Sequence, residues 1–182
     1  YITGTKCDLI EFDKNNLEIK EIDGDTANQF YNTWHYIHTF NKTGTHYGAY
    51  LLDKLVACCT FSPVIRTETA TKQNLQPNQI LELSRFCIHP KYQVKNLASY
   101  LISKITKAIS KARPEVLRLV SFADTTFNHL GTIYKASNWK LDGVVQPSYW
   151  YKNSDGWVIH KKTVYNKARK MGIREAEHVD QY

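Results

Sequence analysis

"ILELSRFCIHPKYQVKNLASYLISKITKAI", residues 80–109, is the stretch whose reading decides the fold. Its opening run is apolar and rich in strand formers, and Pro90 stops it because proline has no N–H for a ladder. A short polar loop follows. From about Asn96 the apolar positions Leu97, Leu101, Ile102, Ile105 and Ile109 fall at helical spacing, which predicts an amphipathic helix of about five turns. The first N–H groups of such a helix lack intrahelical partners, so strand, loop and helix together make an anion site. Gln93, Lys95 and Asn96 add donors there, and Ala98 is small enough to let a ligand approach the backbone.

Upstream, "LEIKEI" (17–22) alternates as a half-buried strand, and Asp25 or Thr26 is placed to cap a helix running to about Tyr36. "HYGAYLLDKLVACCTFSP" (46–63) reads as two strands joined at Asp53-Lys54, and the polar segment 64–79, with Pro77, as a loop. Downstream, "EVLRLVSFAD" has the low polarity of a central strand. A helix carrying Asp124, His129 and Tyr134 comes next. Two strands around Ser154-Asp155-Gly156 and a basic helix follow. The order β, α, β, β, β, α, β, α, β, β, α predicts an α/β fold with a mixed sheet, because hairpins interrupt the crossover units.

A length of 182 residues, with 42% apolar and 23% charged residues, predicts one globular domain over 1–182. Within it, 1–16 reads as an N-terminal extension and 160–182 as a basic helical tail. No apolar run is long enough to span a membrane, and no secretory leader is visible before Tyr1. Cys7, Cys58, Cys59 and Cys87 lack metal-ligand spacing and read as buried, reduced thiols. No metal is expected, since His35, His38 and His46 match no ligand pattern. The net charge of +7 favours an anionic partner, nucleic acid first. Seven basic residues lie between Lys152 and Arg174, Lys161 and Lys162 among them, and Trp150, Tyr151, Trp157 and Tyr165 are interleaved. That pattern suits phosphate neutralisation with stacking, or simply a solvated helix face.

Several side chains have two readings. Asp124, at a strand's carboxyl end, either projects into the crevice where ligands bind or caps the next helix. Tyr134 is either a proton donor or a half-buried phenol sharing a helix face with Leu130 and Ile133. His129 is a proton shuttle or a surface imidazole. Ser121 lines the same crevice or fills a strand. Glu82 and Ser84 should share one strand face and Arg85 the other, so one of the charges lines a wet cleft or forms an edge ion pair. Trp34, His35, Tyr36 and His38 form an aromatic, imidazole-rich helix end that either stacks an extruded base or is simply core plus surface.

Gln93-Val94-Lys95-Asn96-Leu97-Ala98 resembles the Arg/Gln-x-x-Gly-x-Gly/Ala turn of GNAT-type acetyltransferases, with Asn96 in place of a glycine. "GTIYKASNWKLDG" (131–143) resembles the family's following helix. The resemblance implies a GNAT-like mixed, largely antiparallel sheet flanked by helices. It also implies an acetyl-coenzyme A or related acyl donor held by the turn, with Phe86 and Ile88 on the preceding strand. Tyr134 falls on the tyrosine that protonates the departing thiolate. A narrower likeness spans about Leu17 to about Gly172. "VSFADTTFNHLGTIYKASNW", with "WHYIHTFNKTGTHYGAY" and "LELSRF", resembles the bacteriophage Mom proteins. That resemblance implies carbamoylmethyl-type modification of the adenine amine in DNA, an anti-restriction role in the bacterial host's cytoplasm, and a DNA partner on the basic C-terminal face. It makes Asp124, Tyr134, Ser121 and His129 the catalytic candidates. His35, Tyr36, Glu82, Arg85, Tyr149, Lys161 and Lys162 become the substrate-binding candidates. An acetyltransferase of a small amine or protein, and a non-catalytic nucleic-acid-binding module, remain the alternatives.

Overall fold

The computed structural model describes residues 14–36, 43–125, 129–145, 150–152, 156 and 158–173. Most of the expected N-terminal extension, and also Cys7, His38, Tyr149, Ser154 and Asp155, lie outside the described residues. The chain divides into two compact units, one up to Lys140 and one from Leu141.

In the first unit, β1 (Leu17–Ile22), β2 (Thr45–Leu51), β3 (Lys54–Pro63), β4 (Ile80–Ile88) and β5 (Arg118–Val120) form one sheet in the order β1-β2-β3-β4-β5. Neighbours from β1 to β4 are antiparallel, and β5 is parallel to β4. Helix α1 (Gly24–Trp34) covers one face, where Ala27, Phe30 and Tyr31 pack with Cys58 and Cys87. The single turn α2 (Glu68–Thr71) lies within the stretch read as a loop. Helix α3 (Leu97–Ala112) covers the other face, its Ile102, Ile105 and Ile109 packing on Cys59, Phe61, Leu81 and Leu83. The five apolar positions picked from the sequence are the five buried residues of this helix. Helix α4 (Thr132–Ala136) brings Ile133 and Tyr134 against the same cluster. In the second unit, β6 (Trp150–Lys152) and β7 (Val158–His160) form a hairpin, followed by α5 (Lys161–Met171). Val164 and Ala168, one turn apart on α5, are buried, and Lys167, Arg169 and Lys170 are exposed.

Four local expectations are corrected. The α1 cap is Asp23, whose carboxylate accepts the Thr26 N–H at 2.8 Å and the Thr26 hydroxyl at 2.7 Å. The chain leaves β1 directly into the helix, so Asp25 already belongs to its first turn, and the helix ends at Trp34. The β2–β3 turn sits one residue earlier than read, with Leu52 (φ 47°) and Asp53 (φ 62°) in the left-handed region a two-residue hairpin demands. The expected central strand 115–124 pairs only over three residues, and β5 is the end strand of the order among the described residues. The last helix of the first unit starts at Thr132, not after Asp124. Leu130 is exposed and shares no face with Tyr134.

Beneath α1, Tyr31 Oη and His46 Nδ1 each lie 2.9 Å from Thr60 Oγ1, and all three residues are buried. Burial holds His46 below its ordinary value of about 6.5, and the carboxylates of Glu21 and Asp23 partly oppose this. The unfolded chain therefore binds a proton near pH 6.5 that the folded chain refuses until lower pH. Stability should be full above about pH 6.5 and decline as pH falls toward the folded value. Thermal melts from about pH 8 to about pH 5 should show this decline flattened in His46→Gln; an unchanged slope would assign it to other groups. Cys58, Cys59 and Cys87 are buried free thiols. Burial pushes Cys58 up to about 12 and Cys87 to about 11, which removes them as nucleophiles at neutral pH.

Candidate active site

The site is set by one irregularity in β4. Thr60 pairs with Arg85 and Phe61 with Leu83, so Ser84 has no counterpart on β3 and forms a bulge. Leu81 and Leu83 face α3 before it, Phe86 and Ile88 face α3 after it, and Cys87 faces α1. A bulge shifts alternation by one residue, so Glu82 and Arg85 lie on the same face, that of α1. This corrects the reading that placed them on opposite faces. Burial raises the Glu82 carboxyl above its ordinary value, and the Arg85 guanidinium pulls it partly back.

Beyond Glu82 the two parallel strands part. Pairing of β4 with β5 ends at Glu82 and Val120, although β4 runs on to Ile88. The next residue of β5's segment, Ser121, places its Oγ 2.9 Å from the Leu83 carbonyl and 2.8 Å from the Tyr134 hydroxyl. The serine has one proton for two neighbours, and a carbonyl can only accept. While the Ser121 hydroxyl donates to the Leu83 carbonyl, Tyr134 donates to Ser121. When Tyr134 loses its proton, the serine can turn and donate to the phenolate. Burial raises the Tyr134 phenol, the Glu82 carboxylate adds to the rise, and the Ser121 bond opposes it. At neutral pH the phenol keeps its proton. Its ring is fixed by Trp139, 5.5 Å between centroids.

Tyr36, just past the end of α1, reaches this region from the other side. Burial and the charges of Asp124 and Tyr134 raise its phenol, and Arg85 opposes them, which places its hydroxyl in the field of all three. Its ring stacks on buried His35 at 4.5 Å and meets the exposed His129 edge-on at 4.8 Å. The backbone holds that arrangement, with His129 N–H donating to the Asp124 carbonyl at 3.2 Å. Asp124 is half-buried and is not the cap of α4, whose N-cap is Gly131 at φ 69°. Asp124, Tyr134, Ser121, His129, Tyr36, Glu82 and Arg85 therefore gather where β4 and β5 separate, with His35 under Tyr36.

The loop after β4 forms the adjoining wall. His89 Nδ1 accepts the Lys91 N–H at 3.1 Å, and Gln93 Nε2 reaches the Ile88 carbonyl at 3.5 Å. Asn96 stands at φ 68° and ψ −4°, the left-handed conformation for which glycine is the usual residue and asparagine the usual substitute. Tyr100 N–H closes the first helical turn onto Asn96 O at 3.0 Å, leaving the N–H groups of Ala98 and Ser99 at the open helix end. Lys95 and Asn96 are exposed, while Phe86 and Ile88 pack beneath the loop against α3's first turns.

A family model described as the Mom protein family matches residues 16–181. The chain belongs to the Mom protein family. No curated protein sequence matches it. Among solved structures it is similar to a ribosomal-protein-alanine N-acetyltransferase from Brucella melitensis biovar Abortus 2308. That pair has a TM-score of 0.54 and 14% identity, covering 73% of this chain and 98% of the other. An aminoglycoside acetyltransferase from an uncultured soil metagenomic sample gives 0.55 and 11%, covering 77% and 99%. AAC(6')-Iy in complex with the bisubstrate analogue CoA-S-monomethyl-acetylneamine gives 0.54 and 9%, covering 73% and 97%. This Mom-family chain thus has the GNAT acetyltransferase fold.

Other candidates of the Mom-family chain are not part of this cluster as described. Tyr149 lies outside the described residues. Lys161 and Lys162 open α5 in the second unit, and the Lys162 side chain is not described. Among the described residues no group of three or more His, Cys, Asp or Glu is placed to hold a metal ion. No described helix is long and apolar enough to cross a membrane. A pocket of about 380 Å³, lined by Thr106, Leu117, Arg118 and Trp139 among others, lies at the start of β5 and holds none of the cluster. The sequence reading missed His89, whose ring packs 4.2 Å from Trp34. The "HP" was read as the end of the strand and the start of the loop, with no role given to the His89 ring.

Proposed function

We propose that this protein transfers a small acyl-derived group, of carbamoylmethyl type, from a coenzyme A-like donor to the exocyclic amine of adenine in DNA. The observation that carries the chemistry is the Tyr134 hydroxyl held 2.8 Å from Ser121 where the pairing of β4 and β5 ends, with Tyr36 meeting His129 at 4.8 Å and His129 tied to Asp124 through the backbone. Membership of the Mom family supports the nucleic-acid substrate, as do the +7 charge and the exposed Lys167, Arg169 and Lys170. The loop fits such a donor, because left-handed Asn96 opens a helix start whose N–H groups suit a pyrophosphate, with Lys95 beside it. A bound donor supplies an activated carbon on a thiol leaving group.

The chain's own residues then divide the work. Asp124 accepts a hydrogen bond from the amine and orients it. Glu82, the carboxyl raised toward neutrality, receives the amine proton as the new N–C bond forms. Tyr134 gives its proton to the departing thiolate, and Ser121 turns to donate to the phenolate left behind. Arg85 steadies the negative charge on Glu82 once the residue has been deprotonated for the next cycle. The basic residues of α5 neutralise phosphates. The setting is the cytoplasm of a bacterial host, where modified phage DNA escapes restriction.

Nucleoside mass spectrometry of DNA from cells expressing the protein, beside Asp124→Ala, tests this. A heavier adenine species present with the wild type and absent with the variant is expected. Unmodified DNA, together with acetylation of a small amine or protein by the purified wild type, would replace this reading with an ordinary N-acetyltransferase.

A further inference from the structure

The end of α1 carries two ring systems that go separate ways. Tyr36 turns toward His129 and the reacting cleft, whereas Trp34 turns toward the end of β4. Phe30 and Tyr31 just before it are buried, yet Trp34 is 42% exposed. Its indole lies 4.2 Å from the His89 ring at an interplanar angle of 53°, a tilted rather than a face-to-face contact. His89 in turn meets the Tyr92 ring at 5.4 Å.

The charged residues of the segment that carries His89 and Tyr92 are all basic. Lys91 lies between His89 and Tyr92 in the chain, Lys95 follows, and both are exposed. No carboxylate occurs between Cys87 and Arg113. Burial and the Lys91 charge hold His89 below its ordinary value, so the ring is neutral at pH 7. Because Nδ1 accepts the Lys91 N–H, its proton is on Nε2, available to a base or a phosphate. Trp34 is exposed beside half-buried His89, and Tyr92 packs beneath them on the cluster under the first turns of α3. Exposed Lys91 stands close to His89 in the chain, and the arrangement suits a stacked base on a phosphodiester strand.

We propose that Trp34, His89 and Tyr92 form a second base-stacking subsite, which takes an unpaired nucleobase flanking the target adenine. This rests on the function proposed above. Extruding one base deprives its neighbours of a stacking partner, and an aromatic platform beside the cleft supplies one.

The test is equilibrium binding of short single-stranded oligodeoxynucleotides with one central adenine, the flanking positions either natural or abasic. Trp34→Ala, at an exposed helix end, should fold as the wild type does by circular dichroism. It should bind the natural oligonucleotide about tenfold more weakly, the size of one lost stacking contact. Abasic flanks should weaken the wild type to the same extent and the variant no further, and Trp34→Phe should recover most of the affinity. Equal binding of both oligonucleotides by wild type and Trp34→Ala would overturn the subsite while leaving the transferase reading intact. Weakened coenzyme A binding by Trp34→Ala, with oligonucleotide binding unchanged, would assign the rings to the donor and also overturn it. If the wild type binds no oligonucleotide and leaves DNA nucleosides unmodified, the proposed function falls and the subsite with it.

Discussion

Tyr134→Phe is expected to slow group transfer by about a hundredfold or more, the usual contribution of a positioned general acid, while the protein still folds. The two effects separate because of how the hydroxyl is held. Tyr134 Oη meets Ser121 Oγ at 2.8 Å, and Ser121 also has the Leu83 carbonyl at 2.9 Å. Removing the phenolic oxygen leaves the serine satisfied, so the loss of stability should be about 1 kcal/mol. The ring keeps its contacts with Trp139 and the cluster beneath α3. A purely structural tyrosine would behave in the opposite way, with a lower melting temperature and unchanged turnover per folded molecule. Single-turnover rates beside thermal melts distinguish the two, and wild-type turnover by Tyr134→Phe would remove Tyr134 from the mechanism.

Glu82→Gln should have an effect of similar size, about a hundredfold or more on turnover, with a distinct pH signature. Glu82 must be ionised to receive a proton, and burial raises it above its ordinary value of about 4.5. Turnover by the wild type should therefore rise with pH through that raised value and then level off. The variant should lack this acid limb. Stability moves with the reverse sign. The folded chain holds the Glu82 proton to higher pH than the unfolded chain does, so Glu82 lowers stability as pH rises through the folded value. Glutamine removes that decline, and Glu82→Gln should be at least as stable as the wild type at pH 7. A retained acid limb in the variant would assign the proton acceptor's role elsewhere, with Asp124 the first candidate.

Much of this site was legible before the fold was known. Asp124, His129 and Tyr134 read equally as a transfer site or as a cap, a surface imidazole and a half-buried phenol, and the Gln93–Ala98 turn read as an anion-binding helix start. Asn96 is instructive. As a letter it departs from the glycine its motif expects, but as a backbone it takes the left-handed conformation at φ 68°. Where the reading failed, the cause was pairing. Glu82 and Arg85 differ by three positions, and strict alternation puts such residues on opposite faces. Ser84, the extra residue against β3, reverses that. The segment 115–124 has the composition of a central strand, yet it pairs only from Arg118 to Val120. The Ser121 hydroxyl takes up the Leu83 carbonyl just past the last paired residues.

The sequence by itself determined the order of the elements, the buried face of α3, the position of the strand–loop–helix turn at 88–97 and membership of the Mom family. The first three depend on periodicity or motif within a short window, where neighbouring residues constrain one another through the backbone, and the last on a likeness over residues 16–181. Only the tertiary structure decided that Arg85 joins Glu82, that Ser121 bridges β4 to Tyr134, and that the two ends of one aromatic run part, Tyr36 toward the cleft and Trp34 toward His89. Those outcomes depend on which residue of one strand stands opposite which residue of another. That register is set by the packing of segments far apart in the chain, so no local window contains it.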